Sequence, residues 1–193
     1  MTFDVDTNWP VTLRTILKTS REENASLEGL YTTLFNYSFC SGDNLSYFVA
    51  AEDKPEEDLN HAGCDFIVFL VDEKEESLKP VLVAEIEEDS WVSSANTRLK
   101  ADQRMRNRFD RMLRQCPLPQ MYGLSLLGTS LRIYRADVAT GQVDPISKGD
   151  PDSLSDNLLE GEWSLDILSQ DGFKKMGGIV SYIHAESAKV EGQ

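Results

Sequence analysis

Two short apolar runs rich in β-branched and aromatic residues, DFIVFLV (65–71) and VLVAEIE (81–87), are joined by the polar stretch DEKEESLKP (72–80). Runs of this length and composition predict strands, and the polar connection predicts that they pair as a hairpin. Strand alternation puts Leu82, Ala84 and Ile86 on one face and Val81, Val83, Glu85 and Glu87 on the other. With the turn centred near residue 75 or 76, antiparallel pairing opposes residues whose numbers sum to about 151, which places Asp65 across from the 85–87 region. Three carboxylates then gather at the open end of one hairpin.

Like charges so close raise one another's pKa unless a cation neutralises them, and a donor set of oxygens alone suits Mg²⁺ or Mn²⁺. A divalent-metal site is one reading. The other is that Glu85, Glu87, Glu88 and Asp89 mark where a buried strand emerges into solvent, with Asp65 serving turn chemistry after Gly63.

The rest of the chain supplies the frame. Leu27, Leu30, Tyr31, Leu34, Phe35 and Tyr37 recur near helical spacing from Ser26 to Phe39, with Ser26 as N-cap and Glu28 in the first turn. Leu45 to Ala51 predicts a first strand, followed by an acidic loop with a proline. Ser93 to Arg114 turns helical over about six turns and is stopped by CPLP. MYGLSLLG and SLRIYRA predict two more strands about a Gly128-Thr129 turn, Thr140 to Gly161 reads as loop, and Asp171 to Glu186 as a C-terminal helix. The expected order is helix, three strands, helix, two strands, loop, helix: an α/β fold with a mixed central sheet flanked by helices.

With Asp65 opening the second strand and Glu85-Ile86-Glu87 closing the third, this order resembles the PD-(D/E)XK nuclease superfamily, the restriction-endonuclease-like fold with its αβββαβ core. The likeness spans about 26–136, and ADQRMRNRF and YGLSLLGTSLRIYR are also similar to a group of fungal proteins. The resemblance implies a metal-dependent nuclease, with Asp65 and Glu85 as metal ligands, the carbonyl of Ile86 as a further ligand, and Glu28 matching an acid found on the first helix of many members. It implies Mg²⁺ or Mn²⁺ as cofactor. Gln103 matches a helix glutamine of some branches, although Asn107 stands where their tyrosine would be. Cys64 replaces the motif's proline. Glu87 replaces its lysine, the residue thought to activate water and offset phosphorus-centred charge. A glutamate there can act as an extra ligand or as a base. A catalytically inactive member of the fold, binding nucleic acid or protein, is the alternative.

Charge bears on both. The 193 residues carry 33 Asp and Glu against 19 Lys and Arg, a net charge of −14, which opposes broad affinity for phosphate backbones and anionic membranes. Between Thr97 and Arg114, however, seven bases face two acids, a local +5 against −19 for the remainder. Lys100, Arg104, Arg108 and Arg111 lie along or near one helical stripe, while Leu99, Met105, Phe109, Met112 and Leu113 can face the sheet. That stripe either meets a phosphate backbone, pairs with the chain's own acidic loops, or receives an acidic partner protein. Nucleic acid is thus expected only as a restricted partner.

Three widely spaced cysteines suggest neither disulfides nor a zinc site. With no signal or membrane segment recognisable, an intracellular setting, cytoplasm or nucleus, is expected. The chain reads as a single domain over 1–193, its core at about 26–136 and a loop-and-helix extension at 137–193. His61 is read as loop solvation near the site, and Trp91 as a packing or rim residue.

Overall fold

The computed structural model describes residues 8–22, 27–40, 46–52, 63–147 and 155–191. Ser26, Leu45, His61 and most of the acidic loop after the first strand lie outside the described residues.

Thirteen residues form α2 (Leu27–Phe39), preceded by α1 (Val11–Glu22), a helix the sequence did not announce. Its apolar positions are too sparse to signal a buried stripe: Leu13 is buried, whereas Val11 and Ile16 are exposed. Next come β1 (Tyr47–Glu52), β2 (Cys64–Asp72) and β3 (Ser77–Glu87), then a 3₁₀ turn (Asp89–Ser93) and α3 (Ala95–Met112). Extended backbone at Ser94 separates that turn from α3, so the long helix expected from Ser93 begins two residues later. A short 3₁₀ turn, Leu113–Gln115, precedes β4 (Gln120–Leu127) and β5 (Ser130–Asp137).

Two-residue strands β6 (Val143–Asp144) and β7 (Leu165–Asp166) pair with β5 inside and just after the stretch read as loop. The chain ends with α4 (Gln170–Glu191). It passes unbroken through Gly177-Gly178, and all five of its expected core residues, Phe173, Met176, Ile179, Val180 and Ile183, are buried.

The result is a mixed open sheet in the order β1-β2-β3-β4-β5-β6, with β7 also on β5. Among the described strands only β3 and β4 run parallel, and α3 is the crossover between them. In the β2–β3 hairpin Asp65 pairs with Glu85 and Asp72 with Ser77, the register shifting between Val68 and Phe69. The strand therefore starts earlier than expected. Pro80 pairs with Phe69 beside this irregularity, where a missing N–H is tolerated, and β4 joins only from Leu82 onward.

Alternation assigns the helices to faces. Phe66 packs on Phe35 of α2 at 5.4 Å, Tyr47 stacks on His184 of α4 at 4.8 Å, and Tyr122 meets Tyr182 of α4 at 5.5 Å. These residues are out of phase with Asp65 and Ser125, so α2 and α4 cover one face and α3 the other. Gly123 makes α3's approach close: a Cβ there would lie 2.6 Å from Met105 Sδ and 2.8 Å from Phe109 Cζ. The β4–β5 turn is Gly128-Thr129 as expected, with Gly128 at φ 60° where a side chain would also strike Asp89.

Candidate active site

Register builds the site before any side chain is considered. Glu52 pairs with Asp65, Asp65 with Glu85, Glu85 with Ser125, and Ser125 with Arg132. In-register neighbours point to one face, so these five residues form a row across five strands, beneath α3. Glu87 stands on the same face two residues beyond Glu85. The strand end does not emerge into solvent there, since Asp65, Glu85 and Glu87 are only 1%, 5% and 2% exposed.

What covers them is α3. Ala101, Met105 and Phe109, one turn apart, face the sheet and are buried. Helical spacing turns Arg104 and Arg108 to one side of that row and Asp102 and Arg106 to the other. Arg104 Nη1 donates to Glu87 Oε1 at 2.5 Å, with its Nε 3.7 Å from Glu85 Oε2 and its Nη2 3.7 Å from Asp65 Oδ2. Arg108 donates from Nη2 to Asp65 Oδ2, from Nε to Glu85 Oε1 at 3.2 Å, and from Nη1 to Glu52 Oε2 at 2.5 Å. The two guanidiniums bridge four carboxylates.

Charge is not balanced by this arrangement. Burial and the neighbouring Asp65 push the Glu85 carboxyl up from its ordinary 4.5 to about 7, outweighing both arginines. Burial by itself would favour neutral Arg108, yet Asp65, Glu85 and Glu52 raise its pKa further above the ordinary arginine value. Asp65 Oδ1 is buried and accepts no hydrogen bond among the described residues. Four acids, two bases and an unsatisfied oxygen leave a net negative, desolvated centre.

The expected site residues divide into three groups. Asp65, Glu85, Glu87, Arg104 and Arg108 come together. Ile86 is fully buried, its side chain on the α2 face and its backbone within the ladder between Cys64 and Leu126. Glu28 stands exposed on α2, across the sheet, while Gln103 and Arg111 are exposed on α3. The helix pair that faces the acids is thus Arg104 and Arg108, one position later than Gln103 and Asn107. Lys100 Nζ lies 5.6 Å over the ring of Trp91, which is buried.

The basic stripe also changes character. Arg104 and Arg108 serve the acid row, Arg106 holds Asp102, and Arg98 donates to the carbonyls of Val92, Leu158 and Asp156. Four of its seven bases are internal. Their described partners are buried carboxylates, backbone carbonyls and Glu52, the first residue of the acidic stretch EDKPEED, the rest of which lies outside the described residues.

Glu52 is the site residue that the sequence did not reveal. The first strand was expected to end at Ala51, and only the β1–β2 register, which depends on the intervening loop, brings Glu52 opposite Asp65.

No family model matches this chain. The curated proteins and the solved structures likewise show no significant match. What the site can do is therefore argued from its chemistry.

In kind, the donors suit a hard dication: oxygens only, surplus negative charge, and an unsatisfied Asp65 Oδ1. In position, the guanidiniums bridge the acids that a cation would bridge, and no three His, Cys, Asp or Glu side chains among the described residues are arranged to hold a metal.

Proposed function

We propose that the chain is a restriction-endonuclease-like domain that hydrolyses phosphodiesters of DNA or RNA at the Asp65 centre, with Mg²⁺ or Mn²⁺ as cofactor. The observation that carries this is the pairing of Asp65 with Glu85, with Glu87 two residues on, under a helix that offers two arginines one turn apart. A dication bound there would activate water and neutralise charge at phosphorus. Asp65 and Glu85 are the carboxylates that would hold it, with the Ile86 carbonyl. Glu87 is a further ligand or the base, and Arg104 and Arg108 hold the phosphate, restoring the positive charge that position 87 lacks. Exposed Gln103 and Arg111, with Lys100, flank the path of a nucleic acid.

A restricted substrate fits the internal use of most α3 bases. No helix among the described residues is long and apolar enough to cross a membrane, and no disulfide joins Cys40, Cys64 or Cys116. The cytoplasm or nucleus is the setting proposed.

Burial of the acids beneath Arg104 and Arg108 favours a second reading: a fold member whose centre is permanently neutralised and which serves as a binding module for nucleic acid or an acidic protein. Labelled single- and double-stranded DNA and RNA, incubated with Mg²⁺ or Mn²⁺, separate the two. Metal-dependent cleavage that disappears in Asp65→Ala and Glu85→Ala is expected. No cleavage, or equal cleavage by the variants, defeats the enzymatic reading in favour of the second.

A further inference from the structure

The site poses a problem of access. A phosphate cannot reach carboxylates that are at most 5% exposed while Arg104 and Arg108 lie over them, and a dication cannot use oxygens that the guanidiniums already engage. Either arrival alone is unfavourable. A metal binding first would displace two arginines from their counter-ions, and a phosphate binding first would strip the arginines from buried carboxylates. Arrival of both lets each buried charge exchange one partner for another.

We propose that Arg104 and Arg108 are exchange ligands: they occupy the carboxylates of the resting site and transfer to substrate phosphate when a dication takes their place. This rests on the metal-site reading above and adds to it a linkage, so that metal and phosphate each tighten the other's binding by the same factor. Three features of the chain support it. Both arginines are long side chains on one helix, one turn apart and 14% exposed, so a rotamer change carries their guanidiniums outward without moving α3. Glu52, 34% exposed, holds the outer nitrogen of Arg108 and gives that guanidinium a partner nearer solvent than Asp65. A dication carries the same charge as the two guanidiniums it would replace, so the exchange leaves the charge of the carboxylate cluster unchanged.

The test uses the full chain and Mn²⁺, followed by calorimetry and by the electron-paramagnetic-resonance signal of free Mn²⁺. Thymidine 3′,5′-bisphosphate is the phosphate probe, its own Mn²⁺ affinity being measured separately and subtracted. In the native protein the bisphosphate is expected to tighten Mn²⁺ binding by about tenfold, and Mn²⁺ to tighten bisphosphate binding equally. Arg104→Gln/Arg108→Gln is expected to bind Mn²⁺ about tenfold more tightly than the native chain without any phosphate, and to lose the linkage. Should the double variant fail to fold, each single substitution is expected to show part of both effects, and the native-chain linkage stands as a measurement needing no variant. Mn²⁺ binding that is indifferent to the bisphosphate and to the arginine substitutions overturns the exchange while leaving the metal site standing. Absence of Mn²⁺ binding by every form overturns the metal-site reading and the exchange with it.

Discussion

Two clusters of acids and arginines flank the sheet-facing row of α3, and their stoichiometries differ. On one side Asp102 receives Arg106 Nε at 2.8 Å, Arg132 Nη1 at 2.9 Å and the Tyr134 hydroxyl at 2.9 Å, and the partly exposed Glu162 lies 3.6 Å from Arg132 Nη2. Donors exceed acceptors there, Asp102 is satisfied several times over, and the rings of Tyr134 and Trp163 lie 4.8 and 5.1 Å from the Arg132 guanidinium carbon. The other cluster has four carboxylates, two arginines and an unsatisfied oxygen on Asp65. The first carries no surplus of acid and ties α3 to β5, although Arg132 Nε and Nη2 are buried there without a hydrogen-bond partner among the described residues. The second is incomplete, and a surplus of buried negative charge is what a cation site needs.

The sharpest way to break this contrast is to remove one acid from each cluster. Asp102→Ala takes the shared carboxylate from buried Arg132, half-buried Arg106 and buried Tyr134, and is expected to cost about 3–5 kcal/mol in chemical denaturation. Asp65→Asn takes charge from a surplus, and is expected to cost under about 1 kcal/mol. Equal losses would show that the clusters do the same work.

Next in size is a pH effect confined to the acid-rich side. Glu85 keeps its proton in the fold at pH values where the unfolded chain has lost it, so stability should fall as pH rises from about 4.5 to about 7 and stay level above. The fall contributed by Glu85 is at most about 3 kcal/mol. Denaturation at pH 5 and pH 8 should show it, and Glu85→Gln should flatten that part of the profile. A variant with the native pH dependence would place the surplus charge elsewhere.

Gly123→Ala tests the helix that separates the clusters. Its methyl group meets Met105 and Phe109, and lifting α3 is expected to cost about 1–3 kcal/mol while weakening both sets of ion pairs. The smallest effect is expected of Arg111→Ala. That side chain is exposed and, among the described residues, its Nε bonds the Asn107 carbonyl within its own helix, so melting should report a change within about 0.5 kcal/mol.

Much of the frame was legible because periodicity carries it. The apolar runs of β2 and β3 and the turn at Gly128-Thr129 gave the strands, and a register read from the polar turn placed Asp65 within one residue of its partner Glu85. The C-terminal helix was legible from its five buried residues. Less visible was α1, whose single buried leucine among the described side chains leaves little periodic signal. For the site, the acids were legible from strand alternation, but their neutralisation was not. Arg104 and Arg108 read as an outward stripe because a helical wheel shows only angle, and the flank of a helix pressed on a sheet at Gly123 is largely buried as well. Glu52 needed the pairing of β1 with β2, which no local pattern encodes.

The central claim is that the Asp65 cluster is a cation site and the Asp102 cluster is not. Crystals grown with Mn²⁺ and the thymidine bisphosphate, with diffraction recorded at the manganese absorption edge, test it directly. The account predicts an anomalous peak bound by Asp65 and Glu85, with Arg104 and Arg108 turned away from the acids and nothing at Asp102. An empty map with both arginines still on their carboxylates would contradict it.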